Sequence, residues 1–220
     1  MTRRTLFLAT LGVALAAFLG AAWLAARPGE PAQAQPVIER ADALVRAHSP
    51  VLGPEDAPVT VVEFFDPACE ACRAFHPVVK EILDRHPEDV RVVLRYTPFH
   101  GEASELAIKA LEAARLQGVF EPVLEALLER QREWASHDAP AEERVFEIAA
   151  EAGLDAELAR QQILSPEIVG VLNQDRADVE AVGVRQTPTF FVGGKPLAEF
   201  GADQLTALVD AEVEASRAGG

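Results

Sequence analysis

Val59-Thr60-Val61-Val62-Glu63-Phe64-Phe65-Asp66-Pro67-Ala68-Cys69-Glu70-Ala71-Cys72 is the stretch from which the rest of the chain can be read. Its first seven residues are β-branched and aromatic and almost continuously apolar, the pattern of a strand covered on both faces. Glu63 breaks that run, and a buried carboxylate costs several kcal/mol unless it is paired, protonated or used. Asp66-Pro67-Ala68 is a turn. Beyond it Ala71, Phe75, Val78, Val79 and Ile82 recur at helical spacing through about Arg85, so the two cysteines open a helix, with Pro77 inside it and expected to kink it.

Downstream, His86-Pro87-Glu88-Asp89 is a turn and Val90 to Tyr96 a second buried-type strand. Strand, helix and strand in so short a span make a parallel pair joined by a right-handed crossover. From Ser104 the composition shifts to Ala, Leu, Glu, Arg and Gln, and helical patterns follow over Ser104 to Gln117, Glu121 to Glu133, Ala141 to Glu151, Asp155 to Leu164 and Pro166 to Val182. Trp134 and its neighbours read as a loop between helices. Sheet character returns at Thr187 to Val192, followed by Gly193-Gly194 as a tight hairpin turn and Lys195-Pro196-Leu197 as a short partner strand. An amphipathic helix from about Ala202 to Ser216 closes the chain. The expected order is β-α-β, a helical block, then β-β-α.

Upstream, Ser49 to Pro58, with Pro50, Gly53, Pro54 and Pro58, reads as a loop, and Val37 to His48 as a short amphipathic helix. Arg3 and Arg4 precede Leu6 to Ala26, 21 residues without a charge. That run is a targeting segment, either a cleaved signal or a membrane anchor, since as a helix it would span roughly 30 Å. Ala32-Gln33-Ala34 is a candidate cleavage site, and the paired arginines resemble a twin-arginine export signal. The expected organisation is a signal or anchor with linker over 1–34, a helix and loop over 35–58, a core formed by 59–103 and 183–217, and an inserted helical block over 104–182. The expected destination is the periplasm, with residues 6–26 as the candidate inner-membrane anchor.

The 220 residues carry 35 acidic and 20 basic side chains, a net charge of −15, which makes nucleic acid and anionic lipid poor partners for the folded part. The membrane is expected to be met only through the N-terminal segment. Two cysteines cannot staple a miniprotein, and a lone close pair in an exported chain is either reactive or a local staple. A structural zinc site wants four ligands, and His48, His76, His86, His100 and His137 are scattered, with only His76 at helical distance from Cys72. A staple closing so short a loop adds little stability. At the first turn of a helix Cys69 should have a depressed pKa and attack, Cys72 one turn further in should resolve, and Glu63 can accept the proton of Cys72. No cofactor is needed for that chemistry. A reading of another class is a Cu(I)-binding module using Cys69, Cys72 and His76.

Val62-Glu63-Phe64-Phe65 followed by Cys69-Glu70-Ala71-Cys72, and Gly183-Val184-Arg185-Gln186-Thr187-Pro188-Thr189-Phe190-Phe191-Val192-Gly193-Gly194-Lys195, resemble the DsbA-like branch of the thioredoxin superfamily from about Pro50 to the C-terminus. The resemblance implies an α/β thioredoxin-like fold with a central mixed sheet and an inserted helical domain. It implies disulfide exchange with cysteines of unfolded or exported proteins, and a membrane or soluble redox partner. It further implies a cis Thr187-Pro188 bond against the cysteines, with the Thr187 backbone pairing to an extended substrate. Glu70-Ala71 stands where the strongest oxidants carry Pro-His, and Thr187 is similar to the isomerase and reductase members, so a thiol oxidoreductase less oxidising than the family's extreme is expected, with a disulfide isomerase or reductase of the same fold as the alternative. His100 follows a strand parallel to that leading to Cys69 and is a candidate for the active-site edge.

Overall fold

The computed structural model describes residues 42–135 and 141–219. The segment over 1–34, residues 37–41 of the expected N-terminal helix, and His137 lie outside the described residues. Among the described residues no helix is long and apolar enough to cross a membrane.

A mixed sheet forms the centre. It contains β1 (Val51–Leu52), β2 (Val59–Phe65), β3 (Val90–Tyr96), β4 (Thr189–Val192) and β5 (Lys195–Pro196), in the order β1-β3-β2-β4-β5. β2 and β3 are parallel, in register from Val59 opposite Val90 to Phe65 opposite Tyr96. Helix α1 (Glu70–Arg85) connects them and continues past Pro77 for two turns. β4 runs antiparallel to β2 with Phe190 opposite Glu63, and the turn to β5 uses Gly193 and Gly194, both at positive φ, as a type I′ hairpin requires.

Between β3 and β4 come α2 (Glu102–Leu116), α3 (Phe120–Glu129), α4 (Glu142–Glu151), α5 (Ala156–Gln162) and α6 (Pro166–Val182), and α7 (Ala202–Gly219) follows β5. The caps explain several boundaries. Asp155 accepts from the N–H of Leu158, and Ser165 accepts from that of Ile168 ahead of Pro166. Gly183 ends α6 at φ 81°, and the Gly183 and Val184 N–H groups both return to the Val179 carbonyl.

The two-residue period of the strands sorts the core into two layers. Val59, Val61 and Phe65 of β2 face α1, α7 and the helical block, while Val62 and Phe64 pack with Val93, Phe191, Ala43, Leu44, Val179 and Val182 on the opposite face. Glu63 therefore belongs to the α1 face of the sheet.

Two expectations need correction. The loop over Ser49 to Pro58 contains β1, which pairs antiparallel with β3 (Val51 with Val93, Leu52 with Val92). Two residues are too few to show a period, so only the neighbouring edge reveals the strand. The helix expected over Glu121 to Glu133 ends at Glu129 and gives way to a 3₁₀ turn at Gln131–Glu133. Trp134 lies in the turn after it, between helices as expected, and is wholly buried, donating its indole N–H to the Leu127 carbonyl at 2.8 Å.

Candidate active site

Cys69 is the N-cap of α1 and Cys72 lies in its first turn, where backbone N–H groups are not used by the helix. Both are free thiols, 6 % and 0 % exposed. Their environments separate them. The hydrogen bond shared with Cys72 brings Cys69 down to about 5, with the Thr187 side chain and the N–H groups of Cys72 and Ala71 adding to it against the effect of burial. Cys72 is pushed up, first by burial, then by the bond to Cys69 and the charge of Glu63. The proton between the two sulfurs therefore stays on Cys72 and the charge on Cys69. The Asp66 N–H donates to Cys72 Sγ at 3.5 Å.

Glu63 lies on β2 beneath this pair, 2 % exposed, and its Oε1 has no hydrogen-bond partner. Burial, with a smaller contribution from the Cys69 charge, pushes its pKa up to about 8. The folded state thus holds a proton on Glu63 that the unfolded chain loses from about pH 4.5 upward. Wild-type stability relative to Glu63→Gln should fall as pH rises from 4.5 to about 8, by at most about 5 kcal/mol, and urea titrations of both proteins at pH 5 and pH 8 measure it. A difference independent of pH would contradict the raised value.

The loop after α6 brings the remaining expected residues to the same place. The Thr187-Pro188 bond is cis, Pro188 is buried, and Cys69 Sγ lies 3.4 Å from the Thr187 carbonyl oxygen. Glu70 is exposed and Ala71 half-buried on the outer side of the helix start. A shallow cavity beside Cys69 is also lined by His100, Gln131 and Arg132, so His100 stands on the active-site edge. His76 does not join the cysteines. It lines a separate cavity with Lys80 and Glu125, and among the described residues no group of three or more His, Cys, Asp or Glu is gathered to hold a metal.

Two residues of the site escape a reading of the sequence. Gln131, 2 % exposed, donates from Nε2 to the carbonyls of Pro67 (2.7 Å) and Cys69 (2.9 Å) and accepts from Arg73 Nε at 3.0 Å. It ties the helical block to the cysteine turn. Asp66, fully buried, accepts from the N–H groups of Ala68, Phe99 and His100, from Ser104 Oγ and from His100 Nδ1. The only signal for Asp66 was its place in the turn before Cys69.

A family model described as Thioredoxin matches residues 46–211. The chain belongs to the thioredoxin superfamily, in its DsbA-like branch. A thioredoxin-like oxidoreductase from Silicibacter pomeroyi DSS-3 is 36 % identical, with a TM-score of 0.69 over 79 % of this chain and 97 % of that one. BdbD from Bacillus subtilis is 25 % identical, with a TM-score of 0.69 over 76 % and 94 %. The catalytic domain of Proteus mirabilis ScsC, 22 % identical, shares the fold at a TM-score of 0.67 over 81 % and 97 %. Among curated sequences, the Na(+)/H(+) antiporter NhaA of Herminiimonas arsenicoxydans is 34 % identical over 168 residues, 76 % of this chain and 26 % of the antiporter. This thioredoxin-like chain thus spans about a quarter of the curated relatives it matches, and the similarity concerns that part alone.

Proposed function

We propose that the chain is an exported thiol–disulfide oxidoreductase that exchanges disulfides with cysteines of extracytoplasmic proteins, with Cys69 as nucleophile and Cys72 as resolving thiol. The observation that carries this is the unequal pair. One sulfur is held as thiolate at about 5, and the other keeps its proton over a carboxyl raised to about 8. Cys69 Sγ attacks a substrate disulfide, forms a mixed disulfide and releases one substrate sulfur. With the Cys69 charge gone, Glu63 releases its own proton to solvent and the carboxylate takes that of Cys72, whose sulfur attacks Cys69 Sγ and frees the second substrate sulfur. In reverse, the oxidised pair delivers its disulfide and Glu63 returns the proton, a task suited to an acid whose pKa is near the working pH. The Thr187 backbone beside Cys69 offers a strand-like edge to an extended substrate, whose other partner is a redox protein that resets the pair. Residues 6–26 would carry the chain to or hold it at the inner membrane.

Redox titration of the Cys69–Cys72 pair against glutathione tests this. A nucleophile near 5 compared with about 3.5 in the strongest oxidants should place the midpoint about 45 mV more reducing than their roughly −120 mV. A midpoint at or above −120 mV would overturn the less oxidising assignment. A pair that exchanges with no disulfide would overturn the function itself. A midpoint near −270 mV, that of thioredoxin, would favour the reductase reading to which Thr187 points.

A further inference from the structure

The cavity beside Cys69 measures about 270 Å³, and Glu70, Ala71, Gln131, Arg132 and Ala135 are among the residues that line it. Pockets that enclose drug-sized ligands run to about 300–1,000 Å³, so this one has the size for a single small group next to the sulfur. Two of its side chains carry opposite charges and come from different elements. Glu70 belongs to the first turn of α1, next to the nucleophile, and Arg132 to the 3₁₀ turn after α3. Both are exposed. Gln131 pins that turn to the carbonyls of Pro67 and Cys69, which brings its neighbour Arg132 to the cavity.

Neither charge is spent inside the folded chain. Nearby arginines are held by carboxylates, Arg130 by Glu133 and Glu151, and Arg144 by Glu133 and Glu147. Glu133 is thus taken twice. Among the described residues Arg132 has no ion-pair partner, Glu70 has none, and the two do not pair with each other. An unpaired cation and anion lining one cavity with a reactive sulfur complement a ligand that carries both charges close to its own sulfur. Cystine does so, with ammonium and carboxylate on the carbon next to each sulfur-bearing one. A cysteine within a protein has amides in those places and gains nothing from the two charges. The net charge of −15 also opposes an anionic disulfide at long range, whereas cystine is net neutral at neutral pH.

We propose that this cavity takes small amino-acid disulfides of the cystine class as a second substrate of the Cys69–Cys72 pair, with Arg132 on the carboxylate and Glu70 on the ammonium group. Cys69 Sγ attacks one cystine sulfur, the cystine S–S bond breaks, and one cysteine leaves as thiolate with the electron pair and takes a proton from solvent. Cys72, deprotonated by Glu63 as above, attacks Cys69 Sγ and frees the second cysteine. The pair ends oxidised and cystine ends as two cysteines. The same steps in reverse oxidise cysteine. The redox protein that resets the pair for protein substrates resets it here. This substrate class rests on the disulfide-exchange function proposed above. Arg132 and Glu70 meet the substrate away from the reacting sulfurs and set specificity.

The test offers four small disulfides to the reduced full chain at about pH 7: cystine, cystamine with ammonium groups only, dithiodipropionate with carboxylates only, and neutral hydroxyethyl disulfide. Each second-order rate is divided by that of dithiothreitol with the same disulfide, which removes the intrinsic reactivity of the sulfur. Cystine should then exceed hydroxyethyl disulfide about tenfold, and about 1 M sodium chloride, where the Debye length is about 3 Å, should cut that ratio. Arg132→Gln should lower the ratios of cystine and dithiodipropionate to hydroxyethyl disulfide about threefold, the size expected of one exposed ion pair, and spare that of cystamine. Glu70→Gln should lower the ratios of cystine and cystamine and spare that of dithiodipropionate. Uniform loss on all four would mean that both residues act on Cys69 itself, and a wild type without preference for cystine would mean that the cavity takes no zwitterion. Either result overturns the proposal while a disulfide-bonded protein substrate still exchanges. Failure on that protein substrate and on all four small disulfides would remove the exchange function and this substrate class together.

Discussion

Cys72→Ala is expected to turn the catalyst into a trap, whereas Cys69→Ala should silence it. Incubated with a disulfide-bonded peptide, Cys72→Ala should accumulate the peptide on Cys69 and lose turnover by about 10²-fold or more, since the second step lacks its thiol. Cys69→Ala should form no adduct and lose turnover at least as completely. The asymmetry follows from the environments. Cys69 sits at the open helix start and is lowered to about 5, so it is anionic at pH 7. Cys72 is fully buried and raised, so it keeps its proton until Cys69 is consumed. Once the mixed disulfide forms, the Cys69 charge that helped to hold up both Cys72 and Glu63 is gone, and the resolving proton moves more easily. Intact mass measurement before and after reduction reads the adduct. An adduct on Cys72 in Cys69→Ala, at a rate matching that of Cys69 in Cys72→Ala, would show that the roles are not distinct.

How much of this was legible in the sequence depended on how local each cause is. The strand into Glu63, the helix opened by Cys69 and the Gly193-Gly194 hairpin are set by neighbours within a few residues, and all three lie where their spacing puts them. Glu63 stood out because it is the one charge in an otherwise apolar run. Gln131 carried no such signal. It sits inside a stretch with helical periodicity, and only the 3₁₀ turn after Glu129 swings it against carbonyls more than sixty positions away. Asp66 looked like an ordinary turn residue, because its bonds to Phe99, His100 and Ser104 require β3 to lie beside β2 first. Arg95 was the missed counterpart of Glu63, a charge in a strand covered on both faces. Its carboxylate partners belong to α6, some eighty positions on, and no local pattern joins them.

That buried arginine supports the second large effect. Arg95 is 0 % exposed, and its Nη2 meets Asp175 Oδ1 at 2.8 Å and Asp178 Oδ2 at 2.7 Å, while Nη1 donates to the Ala43 carbonyl. Asp175 also accepts from the Tyr96 N–H and from His48, and Asp178 from Arg46. Burial alone would raise Asp178, but the bonds from Arg46 and Arg95 outweigh it and hold its carboxyl below the usual range. Arg95→Leu removes the central cation and leaves two aspartates packed against the apolar face of β3. Breaking a buried pair from one side costs about 3–5 kcal/mol, so Tm should fall by roughly 10 °C. Arg95→Leu combined with Asp175→Asn should recover part of the loss, because the amide still accepts from the Tyr96 N–H without a charge in need of a partner. The cluster lies on the face of the sheet opposite α1, where it clamps the segment around Ala43 and Arg46 to α6. The rate at which Cys69 attacks an aryl disulfide should therefore stay within about twofold of wild type at temperatures where Arg95→Leu remains folded. A loss of reactivity out of proportion to the loss of stability would mean that α6, through Gly183 and the loop leading to Pro188, transmits this clamp to the cysteines.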